Sequence, residues 1–313
     1  MLNLLLLKSI TGVMAMFALG LSFHSRKPSL AWFAPLGWIL AGLHFGLATP
    51  YYIEIADPTL VVMSALAPVA GVLLAIHEIR GHLSSHTPAH TKWLRGMVFW
   101  AGTPYLLIAQ VPHLNRLATI FIAWQTIMYM RWTGSGDIAM GEVWIKSTDG
   151  PGQEVAWTAW EGNKWWLMQP LPENGLFVDL IGAGGESVGI NFVLACTAIQ
   201  SIIVFVGAIV AVNVDWKTKI RALVIVIPLI NILNVFRNAG IIWMHMRYPD
   251  WSWAGLSIFE FGHSYASKFL SLLAMFLMAL VLFEIMPRLH RNVLGVIDAG
   301  LSIFKRGEGK PSF

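Results

Sequence analysis

Three chemically capable side chains lie in apolar segments of the second half of the chain. Cys196 is the only cysteine, Arg237 has Asn234 and Asn238 on either side, and His263 opens the last apolar run. A cysteine thiolate is a nucleophile, a nearby cation lowers its pKa, and a histidine transfers protons. These residue types therefore fit nucleophilic attack on a carbonyl group, with Arg237 holding the thiolate or the oxyanion that forms.

Each of the three residues also has a purely structural interpretation. A single buried cysteine is usually inert packing, and an arginine in an apolar helix often snorkels to the interface. Against this, an arginine at mid-membrane costs about 2.5 to 3.5 kcal/mol, so such residues normally mark function. The predicted site depends on the three side chains, each from a separate apolar segment, lying at similar depth near one face of a membrane.

Polar residues beside these three are expected to support them. If residues 190–213 form one helix, Gln200 lies one turn from Cys196 on the same face. His263 begins a polar stripe at the start of the last helix. The predicted substrate-binding or supporting residues are Gln200, Asn234, Asn238, Ser264 and Lys268.

The composition indicates that a lipid bilayer surrounds these segments. Of the 313 residues, 56% are hydrophobic and only 12% are charged, and the mean hydropathy is +0.64. Soluble domains carry about 25% charged residues, so a water-soluble fold is not expected. The net charge of +4 comes from basic residues in short loops beside apolar segments, which argues against a nucleic-acid partner.

The apolar runs predict an all-α polytopic membrane protein. Crossing a bilayer takes about 20 helical residues, and seven runs qualify: 4–23, 30–49, 58–77, 97–112, 190–213, 220–246 and 263–286. Residues 113–131 are expected to form an interfacial or re-entrant helix. The first run lacks a basic start and a cleavage site, so we expect it to be retained.

The loops predict the orientation and the domain organisation. Basic residues follow the first, third and fifth runs and the last one, which places these segments in the cytoplasm. The acidic, Trp-rich stretch 131–189 is then extracytoplasmic, and its Val-Trp-Ile, Val-Ala-Trp-Thr-Ala-Trp and Lys-Trp-Trp-Leu-Met segments predict a small antiparallel sheet. The predicted parts are N-terminal helices 1–130, an insert 131–189, catalytic helices 190–290 and a basic tail 291–313.

One segment resembles a zinc-protease motif but is not predicted to bind metal. In His-Glu-Ile-Arg-Gly-His at 77–82 the histidines are five residues apart, which leaves them about 140° apart around a helix. His82, His86 and His90 repeat every fourth residue, but Pro88 interrupts them. We predict no metal and no cofactor.

Three segments resemble the blocks of the exosortase and archaeosortase family of membrane cysteine transpeptidases, and most of all its archaeosortase A members. They are Ala-Cys-Thr-Ala-Ile-Gln-Ser at 195–201, Asn-Val-Phe-Arg-Asn at 234–238 and His-Ser at 263–264. The resemblance covers about 190–290, and it implies that Cys196 is the nucleophile and that Arg237 and His263 are catalytic. The chain departs from the family in Ala198, where glycine is common, and in His263, where archaeosortase A members often have arginine.

The resemblance also implies partners. They are exported proteins whose C-terminal signal comprises a short motif, a transmembrane helix and a basic cluster, together with a membrane lipid as acceptor of the new C-terminus. The implied location is the cell membrane, with the site near the extracytoplasmic face.

Two other functions stay open at this point. The leading alternative is a transporter with a polar path lined by Arg237, Asn234, Asn238 and Lys268, although 222–230 and 272–283 are almost wholly apolar. The other is a structural membrane subunit.

Overall fold

The structure is a computed structural model, and it describes residues 2–54, 57–84, 87–146, 153–167, 171, 175–253 and 255–305. Within these ranges the helices are α1 (Leu2–His24), α2 (Pro28–Ala31), α3 (Phe33–Gly46), α4 (Thr49–Glu54), α5 (Pro58–Leu83), α6 (Ala89–Gln110), α7 (Pro112–Thr133), α8 (Ile199–Ala211), α9 (Trp216–Arg247), α10 (Ile258–Glu260), α11 (Ser267–Ile285) and α12 (Pro287–Lys305). The strands are β1 (Ile138–Lys146), β2 (Glu154–Ala156), β3 (Leu176–Gly182), β4 (Ser187–Val193), β5 (Ser252–Trp253) and β6 (Leu256–Ser257).

Five helical segments in the described residues are long and apolar enough to cross a membrane. They are Leu4–His24, Pro28–Glu54, Pro58–Leu83, Trp216–Arg247 and Ile258–Ile285. Helices α6 and α7 pass the same test together, although the chain bends by 98° between them, so the total is five or six. The chain is therefore built around several membrane-capable helices, and the predicted count of seven is not confirmed.

The break between α6 and α7 has a local cause. Pro112 begins α7, and Val111 before it is extended, with φ −108° and ψ 100°. A residue that precedes proline is pushed out of the helical region by the proline ring. The predicted interfacial or re-entrant segment 113–131 is thus helical, after a sharp bend.

The predicted helix over 190–213 is wrong in its first half. Residues 187–193 form strand β4, and helix α8 covers only Ile199–Ala211. Burial alternates along β4, with Ile190 and Phe192 buried between exposed neighbours. This period of two is the pattern of a strand with one covered face, and it overrides the apolar character of the segment.

The described chain forms two compact units, and the first comprises residues 1–106, 203–223 and 280–313. Helices α3 and α5 approach closely in this unit. A Cβ atom on Gly71 would lie 2.6 Å from the Trp38 carbonyl oxygen, and one on Gly42 would lie 2.8 Å from that of Ala67. Small residues let helix backbones pack at this distance.

A buried ion pair lies in the first unit. Glu78 and Arg95 are 1% and 3% exposed. Arg95 donates both Nε (2.6 Å to Oε1) and Nη2 to the Glu78 carboxylate, and Trp38 Nε1 donates to Oε1 at 3.1 Å. The glutamate of the apparent zinc motif therefore serves to pair a buried arginine. His86 lies outside the described residues.

The second unit comprises residues 107–202 and 224–279, and its centre is a four-stranded antiparallel sheet in the order β2-β1-β3-β4. One face of the sheet packs against residues of α7 and α9. The buried core includes Ile122, Ile127, Met130, Ile145, Leu180, Phe192 and Ile242.

The sheet confirms that strands lie between α7 and α8, and it corrects their positions. The Val-Trp-Ile segment is in β1, and Val155 and Ala156 are in β2. Residues 164–167 of the third predicted segment are not in a strand, and Met168 lies outside the described residues. Strands β3 and β4 complete the sheet instead, at 176–182 and 187–193.

Candidate functional site

Cys196 lies in the connection between the sheet and helix α8. Strand β4 ends at Val193, a 3₁₀ turn covers Leu194–Thr197, and Ala198 has a positive φ of 53°. The Thr197 hydroxyl donates to the Leu194 carbonyl oxygen at 2.7 Å, which closes the turn. Cys196 is therefore not inside a helix, and the prediction that Gln200 lies one helical turn from it is wrong. Gln200 is in the first turn of α8, beyond the break at Ala198.

The backbone at Ala198 has a conformation that favours glycine. Left-handed φ values cost residues with a Cβ atom about 1 to 2 kcal/mol, whereas glycine adopts them freely. Glycine is the common residue of the family at this position, two after the cysteine. The backbone conformation that favours glycine is thus present here, although the residue is alanine.

Two carboxamides of helix α9 hold the backbone carbonyl of Cys196. Asn234 Nδ2 donates to the Cys196 carbonyl oxygen at 2.7 Å, and Asn238 Nδ2 donates to the same atom at 3.0 Å. The two asparagines are one helical turn apart, and both are buried, at 7% and 5% exposure. We call this pair with the Cys196 carbonyl the asparagine clamp. The clamp attaches the turn that contains Cys196 to helix α9.

Arg237 lies beside the clamp and interacts electrostatically with Cys196. Its Nη1 donates to Asn238 Oδ1 at 3.4 Å, and its Nε is buried without a hydrogen-bond partner in the described residues. Burial raises the pKa of the partly buried Cys196 thiol above its ordinary value. A backbone hydrogen bond with Val193 and the positive charge of Arg237 oppose this effect, and both lower that pKa.

His263 lies within the electrostatic range of the same arginine. It belongs to a π-helical segment, Phe261–Ala266, that joins α10 to α11. Its ring stacks on Phe259 with centroids 5.5 Å apart and planes 8° apart. Arg237 and Lys268 both act on it electrostatically. Arg237 therefore interacts electrostatically with both Cys196 and His263 in the second unit.

The remaining predicted residues have different positions. Asn234 and Asn238 contact Cys196 directly. Ser264 is in the π-helical segment, and Lys268 is exposed in the first turn of α11. In the residues that the structure describes, no group of three or more His, Cys, Asp or Glu side chains is placed to hold a metal ion.

One contact between α9 and the sheet was not predicted from the sequence. His245 Nε2 is 3.2 Å from the Val188 carbonyl oxygen, so α9 contacts β4 near its start as well as the turn after its end. Residues 234, 238 and 245 are separated by four and seven positions, which places them on one face of a helix. This spacing could have predicted from the sequence that His245 lies on the same face of α9 as the two asparagines.

Known proteins offer one short match. A segment of 58 residues is 41% identical to archaeosortase A of Haloferax volcanii. It covers 18% of this chain and 19% of that protein. No protein-family model matches the chain. No solved structure matches it either.

Proposed function

We propose that this protein is a membrane-embedded cysteine transpeptidase of the archaeosortase kind, with Cys196 as its nucleophile. The asparagine clamp carries this proposal. It anchors the only cysteine of the chain to the helix that bears Arg237, and it uses the backbone of Cys196, so the clamp itself does not engage the sulfur. The short similarity to archaeosortase A supports the same function.

The first half of the reaction cleaves a peptide bond. The Cys196 thiol gives its proton to His263, and its sulfur attacks the scissile carbonyl carbon and forms a C–S bond, while the carbonyl oxygen becomes an oxyanion. Arg237 has a buried Nε without a partner in the described residues, and a guanidinium of this kind suits the oxyanion. His263 gives a proton to the departing amine as the C–N bond breaks. The products are a thioester on Cys196 and the released C-terminal fragment.

The second half transfers the mature protein to an acceptor. A hydroxyl or amine of a lipid-linked acceptor attacks the thioester carbon, loses its proton, and displaces the Cys196 thiolate. His263 accepts that proton and passes it to the thiolate, which returns the site to its starting state. The mature protein is then joined to the membrane through its new C-terminus.

The proposed substrates are exported proteins with a C-terminal motif, a transmembrane helix and a basic cluster. The proposed location is the cell membrane, which the chain crosses several times, with Cys196 near the extracytoplasmic face. A substrate helix lying beside the enzyme then presents the motif just outside the bilayer, and its basic cluster stays in the cytoplasm.

The test is processing of a tagged exported protein that carries such a signal, expressed together with the full chain. Cys196→Ala is expected to leave the signal attached while the variant accumulates in the membrane as the parent does. Asn231→Ala is the matched control, because Asn231 is on the same helix and donates to Gln125 Oε1 at 3.1 Å rather than to Cys196. Complete processing by Cys196→Ala contradicts the proposal.

A second measurement separates this function from a transporter. During turnover the parent is expected to carry a covalent adduct that hydroxylamine releases, because hydroxylamine cleaves thioesters. A transporter with a polar pocket forms no such adduct. If alkylation of Cys196 leaves activity unchanged, the cysteine is not the nucleophile.

A further inference from the structure

Basic and aromatic side chains gather around Trp157 in the second unit, and none of them is a residue of the proposed transpeptidase site. The Arg116 guanidinium carbon and the Lys164 Nζ lie 5.2 and 5.3 Å from the centre of the Trp157 ring. The His113 ring lies 5.1 Å from Trp157 and 4.4 Å from the Trp165 ring. We call Arg116, Lys164, His113 and Trp157 the basic cluster.

Backbone hydrogen bonds attach the loop that carries Lys164 to the break between α6 and α7. His113 N donates to the Lys164 carbonyl oxygen at 3.1 Å, and Leu167 N donates to that of Gln110 at 2.9 Å. Arg116 and His113 are in the first two turns of α7. The cluster is therefore held by fixed backbone contacts from two segments.

The positive charges of the cluster have no carboxylate partner in the part of the chain that the structure describes. The ion pairs found there are Arg95 with Glu78 and Arg131 with Asp137. Arg116 Nε is buried and has no hydrogen-bond partner there either. A cation over an aromatic ring recovers only about 0.5 to 2 kcal/mol, and a buried donor without a partner is costly. The arrangement therefore favours a bound anion.

Helix α7 also presents an apolar stripe whose first residue, Leu114, follows His113 of the cluster. Leu114, Leu117, Phe121, Trp124 and Met128 are all 40% exposed or more. Their spacing of three and four residues places them on one helix face. Trp165 beside the cluster is 73% exposed, and tryptophan is enriched where lipid headgroups meet water. An exposed apolar face that ends at basic and indole groups has the chemistry of a lipid with an anionic headgroup.

We infer that α7 and the loop 157–167 bind one membrane lipid, with its phosphate on Arg116 and Lys164 and its acyl chains along the α7 stripe. Arg116 donates Nε and a terminal N–H to the phosphate, Lys164 supplies the second charge, and the indole of Trp165 borders the headgroup. The inference is independent of the transpeptidase function, because the basic cluster shares no residue with Cys196, Arg237 or His263.

The experiment titrates the full chain, in a nonionic detergent, with dioctanoyl phosphatidylglycerol and counts bound copies by native mass spectrometry. Inorganic phosphate and dioctanoylglycerol are titrated in parallel. One tightly bound phosphatidylglycerol is expected, with about 100-fold weaker binding in Arg116→Gln/Lys164→Gln, because each lost charge-assisted contact is worth about tenfold. The matched control is Lys92→Gln/Lys217→Gln, which removes the same charge from exposed positions and is expected to bind as the parent does.

Further variants decide between the sources of the anion. Phe121→Ser is expected to weaken phosphatidylglycerol severalfold and to leave inorganic phosphate unchanged. If inorganic phosphate displaces the lipid at equal concentration, the site takes a free anion and the lipid inference is wrong. Equal weakening by the control pair shows nonspecific attraction and overturns the inference as well. If the glutamine variant does not fold, Arg116→Lys is used instead, because it keeps the charge but removes the planar guanidinium. Phosphatidylglycerol binding that is weaker than in the parent but tighter than the binding of uncharged dioctanoylglycerol supports the inference. Unchanged phosphatidylglycerol binding contradicts it.

Discussion

Removing the asparagine clamp is expected to free the turn that carries Cys196. The changes are Asn234→Ala, Asn238→Ala and the double variant. Each single variant leaves the Cys196 carbonyl oxygen with one donor, at 3.0 or 2.7 Å, and the double variant leaves it with neither. The two effects are therefore not expected to add.

The magnitude follows from the hydrogen bonds. One bond contributes about 1 kcal/mol net, and an acceptor left without a partner in a buried site costs about 1 to 3 kcal/mol. Each single variant is expected to lower the free energy of opening the turn by about 1 kcal/mol, which is about fivefold in the open population. The double variant is expected to lower it by about 3 kcal/mol, or about 100-fold, so the coupling between the two sites is about 1 kcal/mol.

The assay is alkylation of Cys196 by iodoacetamide in membrane vesicles. Because the chain has one cysteine, the rate reports on this turn alone. The control is Asn231→Ala, which removes a carboxamide from the same helix and is expected to leave the rate unchanged. If that control accelerates alkylation as much as the double variant, or if the double variant reacts no faster than the singles, the clamp does not restrain the cysteine.

Three other changes test separate contacts. Arg237→Gln removes a positive charge that lowers the pKa of the Cys196 thiol, so this pKa is expected to rise. The pH profile of Cys196 alkylation then shifts to higher pH, and an unchanged profile contradicts the interaction. Ala198→Gly relieves a left-handed φ and is expected to stabilise the protein by about 1 kcal/mol in thermal unfolding, with signal processing retained, whereas a loss of stability refutes the strain. Glu78→Gln leaves Arg95 buried without its carboxylate and is expected to lower the free energy of unfolding by about 3 to 5 kcal/mol. The measurement is the midpoint of unfolding in detergent, and an unchanged midpoint shows that stability does not depend on the ion pair.

The sequence predicted the membrane-capable segments well where hydropathy and length agree. The predicted run 58–77 corresponds to α5, and 220–246 lies within α9. The polar residues of α9 were also informative, because an arginine with an asparagine on either side is expensive in an apolar helix. The structure places Asn234, Arg237 and Asn238 around the cysteine turn.

The segment before Cys196 could not be predicted in the same way. Residues 190–194 read Ile-Asn-Phe-Val-Leu, which suits an apolar helix and a half-buried strand equally. Pairing with β3 decides for the strand, through registers such as Val178 with Phe192. The two strands form a hairpin across the turn at 183–186, and the apolar pattern of 190–194 alone does not specify this pairing. The last membrane-capable segment also begins earlier than predicted, at Ile258, because Ser257 and Glu260 form a capping box there.

The asparagine clamp binds a backbone carbonyl oxygen, which every amino acid has. A serine or alanine at position 196 keeps the peptide oxygen that Asn234 and Asn238 hold, so neither hydrogen bond depends on the side chain at this position. Under the proposed function, a serine or alanine variant is therefore inactive but keeps both hydrogen bonds of the asparagine clamp. Such a variant is suited to isolating the polypeptides that the proposed function implies as substrates, because it can bind them without cleaving them.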